Sequence, residues 1–88
     1  MKIEEIISKA IEERIIEELK PLVEAKMKAE RILNDYMFSN KNADTTYLNS
    51  LWYTYKETQN ILAESKRFAE KILDKRIYVY TTGEIEIK

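Results

Sequence analysis

The chain has 88 residues, of which 15 are basic and 16 acidic, and it contains neither cysteine nor histidine. This length predicts one small domain, residues 1–88, and the near balance of charge excludes a strong general attraction to nucleic acid. Without cysteine and histidine the protein lacks disulfides, thiolate ligands and the side chain that titrates near neutrality, so we expect no enzyme, no metal site and no cofactor.

The residues that usually interrupt helices are almost missing. Gly83 is the only glycine and Pro21 the only proline. We therefore expect long helices, and no glycine-rich loop of the kind that cradles a phosphate. Acidic residues at Glu4 and Glu5 interrupt the apolar residues near the N-terminus. Neither a signal peptide nor a membrane span is expected there, and the interpretation is a cytoplasmic protein.

The first helix is predicted from regularly spaced apolar residues. They recur every four residues at first, at Ile3, Ile7, Ile11, Ile15 and Leu19. They then follow the alternating spacing of a coiled-coil seam, at Leu22, Ala25, Ala29, Ile32 and Tyr36. Pro21 lies where the spacing changes. Because proline lacks a backbone donor, it predicts either a kink in one helix, which we favour, or a break between two helices.

A polar segment, residues 39–46, predicts the main bend, and a second helix follows it. Asp44, Thr45 or Thr46 can supply the side-chain oxygen that caps this helix, which is expected to run to about Lys75. Its predicted seam consists of Leu48, Leu51, Tyr55, Thr58, Leu62, Ser65, Ala69 and Ile72. The two seams together predict an antiparallel helical hairpin over residues 3–75.

The charges of the two helices favour this pairing. A fold-back at the polar segment places residues whose numbers sum to about 84 opposite one another. An acidic group, Glu12, Glu13, Glu17 and Glu18, then lies beside a basic group, Lys66, Arg67, Lys71, Lys75 and Arg76. We expect intramolecular ion pairs between the two groups, each contributing about 0 to 1 kcal/mol.

The last residues change from helical to strand periodicity and predict a β-hairpin over residues 77–88. A three-residue loop, 81–83, gathers the aliphatic side chains on one face of this hairpin. The predicted pairs are Val79 with Ile85 and Ile77 with Ile87. Because two strands alone are marginal in water, the aliphatic face must cover a helix or a second ribbon. The predicted fold class is mainly α, a helical hairpin with a C-terminal β-hairpin.

The helices carry more apolar surface than one β-hairpin can cover. Two helical hairpins docked together would bury a four-helix core, so we expect a homodimer. The alternative is a monomer with three helices, broken at Pro21. The side chains expected to contact a protein partner are Phe38, Tyr47, Trp52, Tyr53, Ile61 and Phe68. Such residues at helical spacing are also typical of a core.

These features predict a non-enzymatic protein-protein interaction module that acts by occupying a surface of another macromolecule. By analogy of size and composition, it is similar to small accessory and inhibitor proteins of phages and archaeal viruses. The alternative is a small nucleic-acid-binding regulator with phosphate contacts from Lys66, Arg67, Lys71, Lys75 and Arg76. A third interpretation is a purely structural oligomer. Neither a membrane nor a small-molecule substrate is expected as a partner.

Overall fold

The computed structural model describes residues 2–39 and 44–88. They form the helices α1 (Ile3–Ser39) and α2 (Thr45–Leu73) and the strands β1 (Ile77–Val79) and β2 (Ile85–Ile87). The helices lie antiparallel along a rod 61 Å long, and the strands form a two-stranded antiparallel sheet. The predicted fold class is confirmed. The predicted bend at 39–46 includes residues 40–43, which lie outside the described residues.

The first helix continues through its proline. α1 runs through Pro21 without a break, so the alternative of three helices is wrong. Proline removes one backbone donor and leaves the carbonyl of Glu17 without its helical partner. Both residues are exposed, so water can hydrate that carbonyl. Leu19 and Val23, on either side of the proline, are buried in the core and hold the helix in place across it. A kink of the axis at Pro21 stays a prediction.

Side chains at both ends of α2 explain its bounds. Asp44 caps the helix, because its Oδ1 accepts a hydrogen bond of 2.9 Å from the backbone N–H of Thr46. The helix ends at Leu73, before the predicted end at Lys75, because Asp74 adopts the left-handed conformation with φ 53° and ψ 38°. Aspartate is one of the few residues besides glycine that tolerate this conformation. The turn leads the chain from α2 into β1.

The register and loop of the β-hairpin match the prediction. Ile77 pairs with Ile87, Tyr78 with Glu86 and Val79 with Ile85. Gly83 has a φ of 91°, a conformation that residues with a Cβ rarely adopt, and its N–H donates to the carbonyl of Tyr80 at 2.9 Å. The only glycine of the chain is therefore placed where the loop needs it.

The core lies where the aliphatic face of the sheet meets the two helices. Its buried members are Leu19, Val23, Leu62, Ala69 and Ile77. Ile77 is the most deeply buried of them, with 1% of its surface exposed. The backbone N–H of Ile77 also donates to Oε2 of Glu70 at 2.9 Å, which ties β1 to α2. Val79, Ile85 and Ile87 pack around this core from the sheet side.

The seam predicted for α2 is buried or half-buried except at Ile72, which is exposed. The seam predicted for α1 is wrong at Ala25 and Ile32, which are exposed. Leu19 and Ala29 of the predicted pattern are buried, and so are Val23 and Leu33, which the pattern does not include. The third layer accounts for Val23. Gly83 in the loop of the sheet lies against Val23 and Met27, so α1 turns these side chains toward the sheet as well as toward α2.

Shortening Ile77 tests how much the sheet contributes to stability. We expect Ile77→Val to lower the free energy of unfolding by about 1 kcal/mol, because it removes a methyl group from a fully packed site. The matched control is Ile72→Val, which shortens an exposed isoleucine. It should change the free energy of unfolding by less than about 0.5 kcal/mol. Urea unfolding followed by circular dichroism measures both variants. Equal effects at the two positions would contradict the packing of the sheet on the helices.

Candidate functional site

The two faces of the helix pair differ in how they are covered. The sheet lies on one face, against Val23 and Met27 of α1 and Glu70 of α2. The opposite face has no third layer among residues 2–39 and 44–88. On that face a groove of about 490 Å³ runs between the helices. The layer of two helices is therefore covered on one side only, and the groove lies on its open side.

Small residues create this groove. Ser65 and Ala69 of α2 line it, and they are too short to fill the space between the helices. The remaining apolar lining consists of Ile15, Leu19 and Leu22 of α1 and Phe68 and Ile72 of α2. Phe68 and Ile72 are 67% and 58% exposed, although their side chains are among the most apolar in the chain. The floor of the groove is therefore part of the core, while its α2 rim is apolar and exposed to water.

An apolar stripe extends the groove along both helices. Ile61 lies on the same side of α2 as Phe68 and Ile72, and it is exposed. On α1 the stripe continues from Ile15 to Ile11, which is also exposed. Positions three, four or seven apart on a helix lie on one face, which explains why these residues share a side. Part of the apolar surface that the sequence predicted in excess thus lies opposite the sheet, and another part lies near the bend.

The ionisable groups that line the groove are both carboxylates, Glu18 and Glu64. Glu18 accepts from Nε of Arg14 at 3.1 Å, and both side chains of this pair are exposed. Glu64 forms no ion pair with another described residue. An exposed ion pair one turn apart contributes only a few tenths of a kcal/mol. The groove therefore combines an apolar floor with an acidic rim.

The predicted ion pairs between the acidic and basic groups are mostly wrong. Lys75 bonds to Glu12 and supports the predicted register. The other members of the basic group, Lys66, Arg67, Lys71 and Arg76, form no ion pair within the described part of the chain. At about 100° per residue, Arg67 and Lys71 lie on the side of α2 that points away from α1. The acidic residues of α1 are out of their reach.

The structure separates the six side chains that the sequence assigned to a protein interface. All six are exposed, but Ile61 and Phe68 lie on the groove side of α2, whereas the other four lie near the bend. There Tyr47 packs against Tyr36 with ring centroids 4.7 Å apart, and Trp52 stacks on Tyr55 at 5.9 Å. Tyr47 and Trp52 thus contribute to packing at the bend. Phe38 and Tyr53 are 88% and 67% exposed.

The sequence pattern does not predict the groove. It places Ile72 in the seam, and it does not mark Ile15, Leu22, Glu18 and Glu64 as site residues. The available signal was the pair of large apolar residues Phe68 and Ile72 beside the small pair Ser65 and Ala69. That pattern indicates a cleft only when the partner layer is known to lie on the other side.

Other kinds of site receive no support from the described residues. No group of three or more acidic side chains among them is arranged to hold a metal ion. Neither described helix combines the length and the apolar composition that crossing a membrane requires. In comparisons with known proteins, no family model matches the chain, and no similar curated protein or solved structure is found.

The outer face of the sheet carries a small polar network. The hydroxyl of Tyr80 donates to Oε2 of Glu86 at 2.6 Å, and Nζ of Lys88 lies 3.4 Å from Oε1 of Glu86. The hydrogen bond from Tyr80 is the main cause that lowers the pKa of Glu86, and the charge of Lys88 lowers it further. The same hydrogen bond raises the pKa of Tyr80. This network stabilises the ionised carboxylate on an exposed surface.

The network predicts a pH effect of known sign. Because folding lowers the pKa of Glu86, its contribution to stability is present above the pKa of the unfolded chain and is lost as the pH falls through the folded value. Tyr80→Phe should therefore raise the pKa of Glu86 toward its ordinary value, as measured by carbon-detected NMR titration of the carboxyl group. Tyr78→Phe is the control, since Tyr78 does not donate to Glu86. An unchanged pKa in Tyr80→Phe would contradict the network.

Proposed function

We propose that the protein is a non-enzymatic protein-protein interaction module that acts by occupying a surface of another macromolecule through the open face of its helix pair. The observation that carries the proposal is the one-sided cover of the helices. The sheet buries one face, and the opposite face presents the groove with Phe68 and Ile72 exposed at its rim. Contiguous exposed apolar surface in a small domain is typical of an interaction site.

The chemistry of the face favours a protein as the bound molecule. Aromatic and branched aliphatic side chains supply most of the binding free energy in protein interfaces, particularly where they meet a pocket on the partner. The groove and Phe68 offer both a cleft and an anchor. A cytoplasmic location belongs to the same proposal, since a chain without cysteine is compatible with a reducing compartment. The homodimer stays a prediction. A second copy of the chain is one molecule that could cover this face.

The proposal is tested by changing the rim of the groove. We expect Phe68→Gln with Ile72→Gln to abolish co-purification of a stoichiometric partner from a lysate of the cells that encode the protein. Both side chains are exposed and glutamine favours helices, so the variant should remain folded. Loss of two interface anchors typically weakens binding at least about 100-fold. The partner, once identified, is purified and its Kd for both forms is measured by calorimetry.

The matched control for this experiment is Tyr53→Gln. Tyr53 is an aromatic residue of α2 with the same exposure as Phe68, 67%, but it lies outside the groove. The control should bind the partner as the unchanged chain does. Loss of binding in Tyr53→Gln alone would place the interface near the bend. Absence of any stoichiometric partner, together with a monomeric chain in light scattering, would contradict the proposed function.

A nucleic-acid-binding function is the second candidate, and one observation favours it. Arg67 and Lys71 lie one turn apart on the outer side of α2, exposed and without an ion-pair partner among the described residues. Free cations at this spacing can contact neighbouring phosphates. However, Lys75 of the same predicted group is held by Glu12 on α1. This pairing and the balanced overall charge make the alternative the weaker of the two.

Salt-dependent binding distinguishes the alternative from the main proposal. If the cations contact phosphates, Arg67→Glu with Lys71→Glu should abolish retention on a heparin column and weaken binding to a labelled oligonucleotide. The logarithm of affinity should also fall about linearly with the logarithm of salt concentration. Under the main proposal the unchanged chain shows no such binding at physiological salt. The groove variant Phe68→Gln with Ile72→Gln serves as the control, because it keeps every charge.

A further inference from the structure

We propose that the groove binds a basic amphipathic helix of a different protein, about three turns long. This inference rests on the proposed function and names the chemistry of the partner. It is carried by three independent properties of the open face, which are the nature of its walls, the length of its apolar stripe and the sign of its charges.

The walls of the groove require an occupant that satisfies its own backbone. Both walls are helices, and the backbone groups within a helix are already bonded to one another. An extended peptide in the groove would leave buried N–H and C=O groups without partners, which is costly. A helical peptide bonds its own backbone and presents only side chains. The small residues Ser65 and Ala69 at the floor let such a helix approach closely.

The apolar stripe has the same length on both walls. On α1 it extends from Ile11 to Leu22, and on α2 from Ile61 to Ile72. At 1.5 Å per residue each stretch is about 16 Å long, or three helical turns. The bond between Lys75 and Glu12 agrees with the predicted antiparallel register to within about one helical turn. That register places Ile11 near the level of Ile72, and Leu22 near the level of Ile61. The face therefore fits apolar side chains repeated over three turns of a third helix.

The charges around the stripe select for a cationic partner. Glu18 and Glu64 are the ionisable residues that line the groove, one on each wall. Arg14 compensates Glu18 only weakly because both side chains are exposed, and Glu64 has no ion-pair partner within the described residues. Lysine and arginine can lay their aliphatic stems across the apolar rim while the charged ends reach these carboxylates. Such complementarity affects both the rate of association and the choice of partner.

The same charges disfavour a second copy of this chain as the occupant. In a symmetric dimer closed over the groove, each copy presents the same patch to the other. Glu18 and Glu64 of one copy would then approach Glu18 and Glu64 of its partner. Four carboxylates gathered at an apolar interface repel one another and lose hydration, which costs free energy. A partner with lysine or arginine at these positions avoids this cost.

Two synthetic peptides test the inference with the full chain. Both are fluorescein-labelled amphipathic helices of about 14 residues with the same leucine stripe, and their polar positions are either lysine or glutamine. By fluorescence anisotropy we expect the leucine/lysine peptide to bind about tenfold more tightly than the leucine/glutamine peptide. Glu18→Gln with Glu64→Gln should remove most of that difference. Phe68→Gln with Ile72→Gln should abolish the binding of both peptides.

The matched control is Glu13→Gln with Glu17→Gln. It removes the same amount of charge from exposed positions of α1 that do not line the groove, and it should leave the tenfold preference intact. If both double variants reduce the preference equally, the effect comes from overall charge and the inference is wrong. It is also wrong if the leucine/lysine peptide still binds Phe68→Gln with Ile72→Gln, because that peptide then lies elsewhere.

The remaining outcomes separate this inference from the function on which it rests. If both peptides bind with equal affinity, and Phe68→Gln with Ile72→Gln abolishes this binding, the partner need not be basic and the inference is wrong. The groove would still be the docking face. A dimer in light scattering that the same substitutions convert to monomers would identify a second copy as the occupant and overturn the inference. Failure of both peptides to bind also overturns it, whereas the proposed function fails if no stoichiometric partner co-purifies and the chain is monomeric.

Discussion

The aliphatic face of the β-hairpin and one side of the helix pair depend on each other. A two-stranded sheet is marginally stable alone, and two helices in contact along a single seam bury little surface. Where they meet, Ile77 inserts among Leu19, Val23, Leu62 and Ala69 and is almost fully buried. Each layer thus supplies the cover that the other lacks. Because a single sheet can cover only one side, this arrangement also determines which face of the helices remains exposed.

The seam between the helices has a second consequence. Ser65 and Ala69 let the backbones of α1 and α2 approach, and on the side away from the sheet the same short side chains leave a cleft. Larger residues at these positions would fill the groove and push the helices apart. Phe68 and Ile72 beside them stay exposed at the rim of this cleft. Close packing on one side and an apolar cleft on the other have the same origin.

The sequence predicts an element correctly where only one register or pairing fits the order of its apolar and polar residues. The register of the β-hairpin follows from alternation around a loop containing Gly83, since any shift mixes the two faces. The seam of α1 was not predictable in this way. Ala25 and Ile32 fit a seam between two helices, whereas Val23 is buried because a third layer is present. The spacing of apolar residues along one helix does not say how many neighbours it contacts, and the groove depends on that number.

The net charge of −1 conceals an uneven distribution of charge. Carboxylates line the groove, whereas Arg67 and Lys71 lie on the outer side of α2. A net charge near zero excludes strong electrostatic attraction at long range. Contacts within about 10 Å depend instead on the charged side chains nearby. The two candidate functions therefore use neighbouring surfaces of α2 and call for partners of opposite charge. Since an apolar cleft accompanies only the acidic side, burial and charge together favour a cationic protein segment over a nucleic acid.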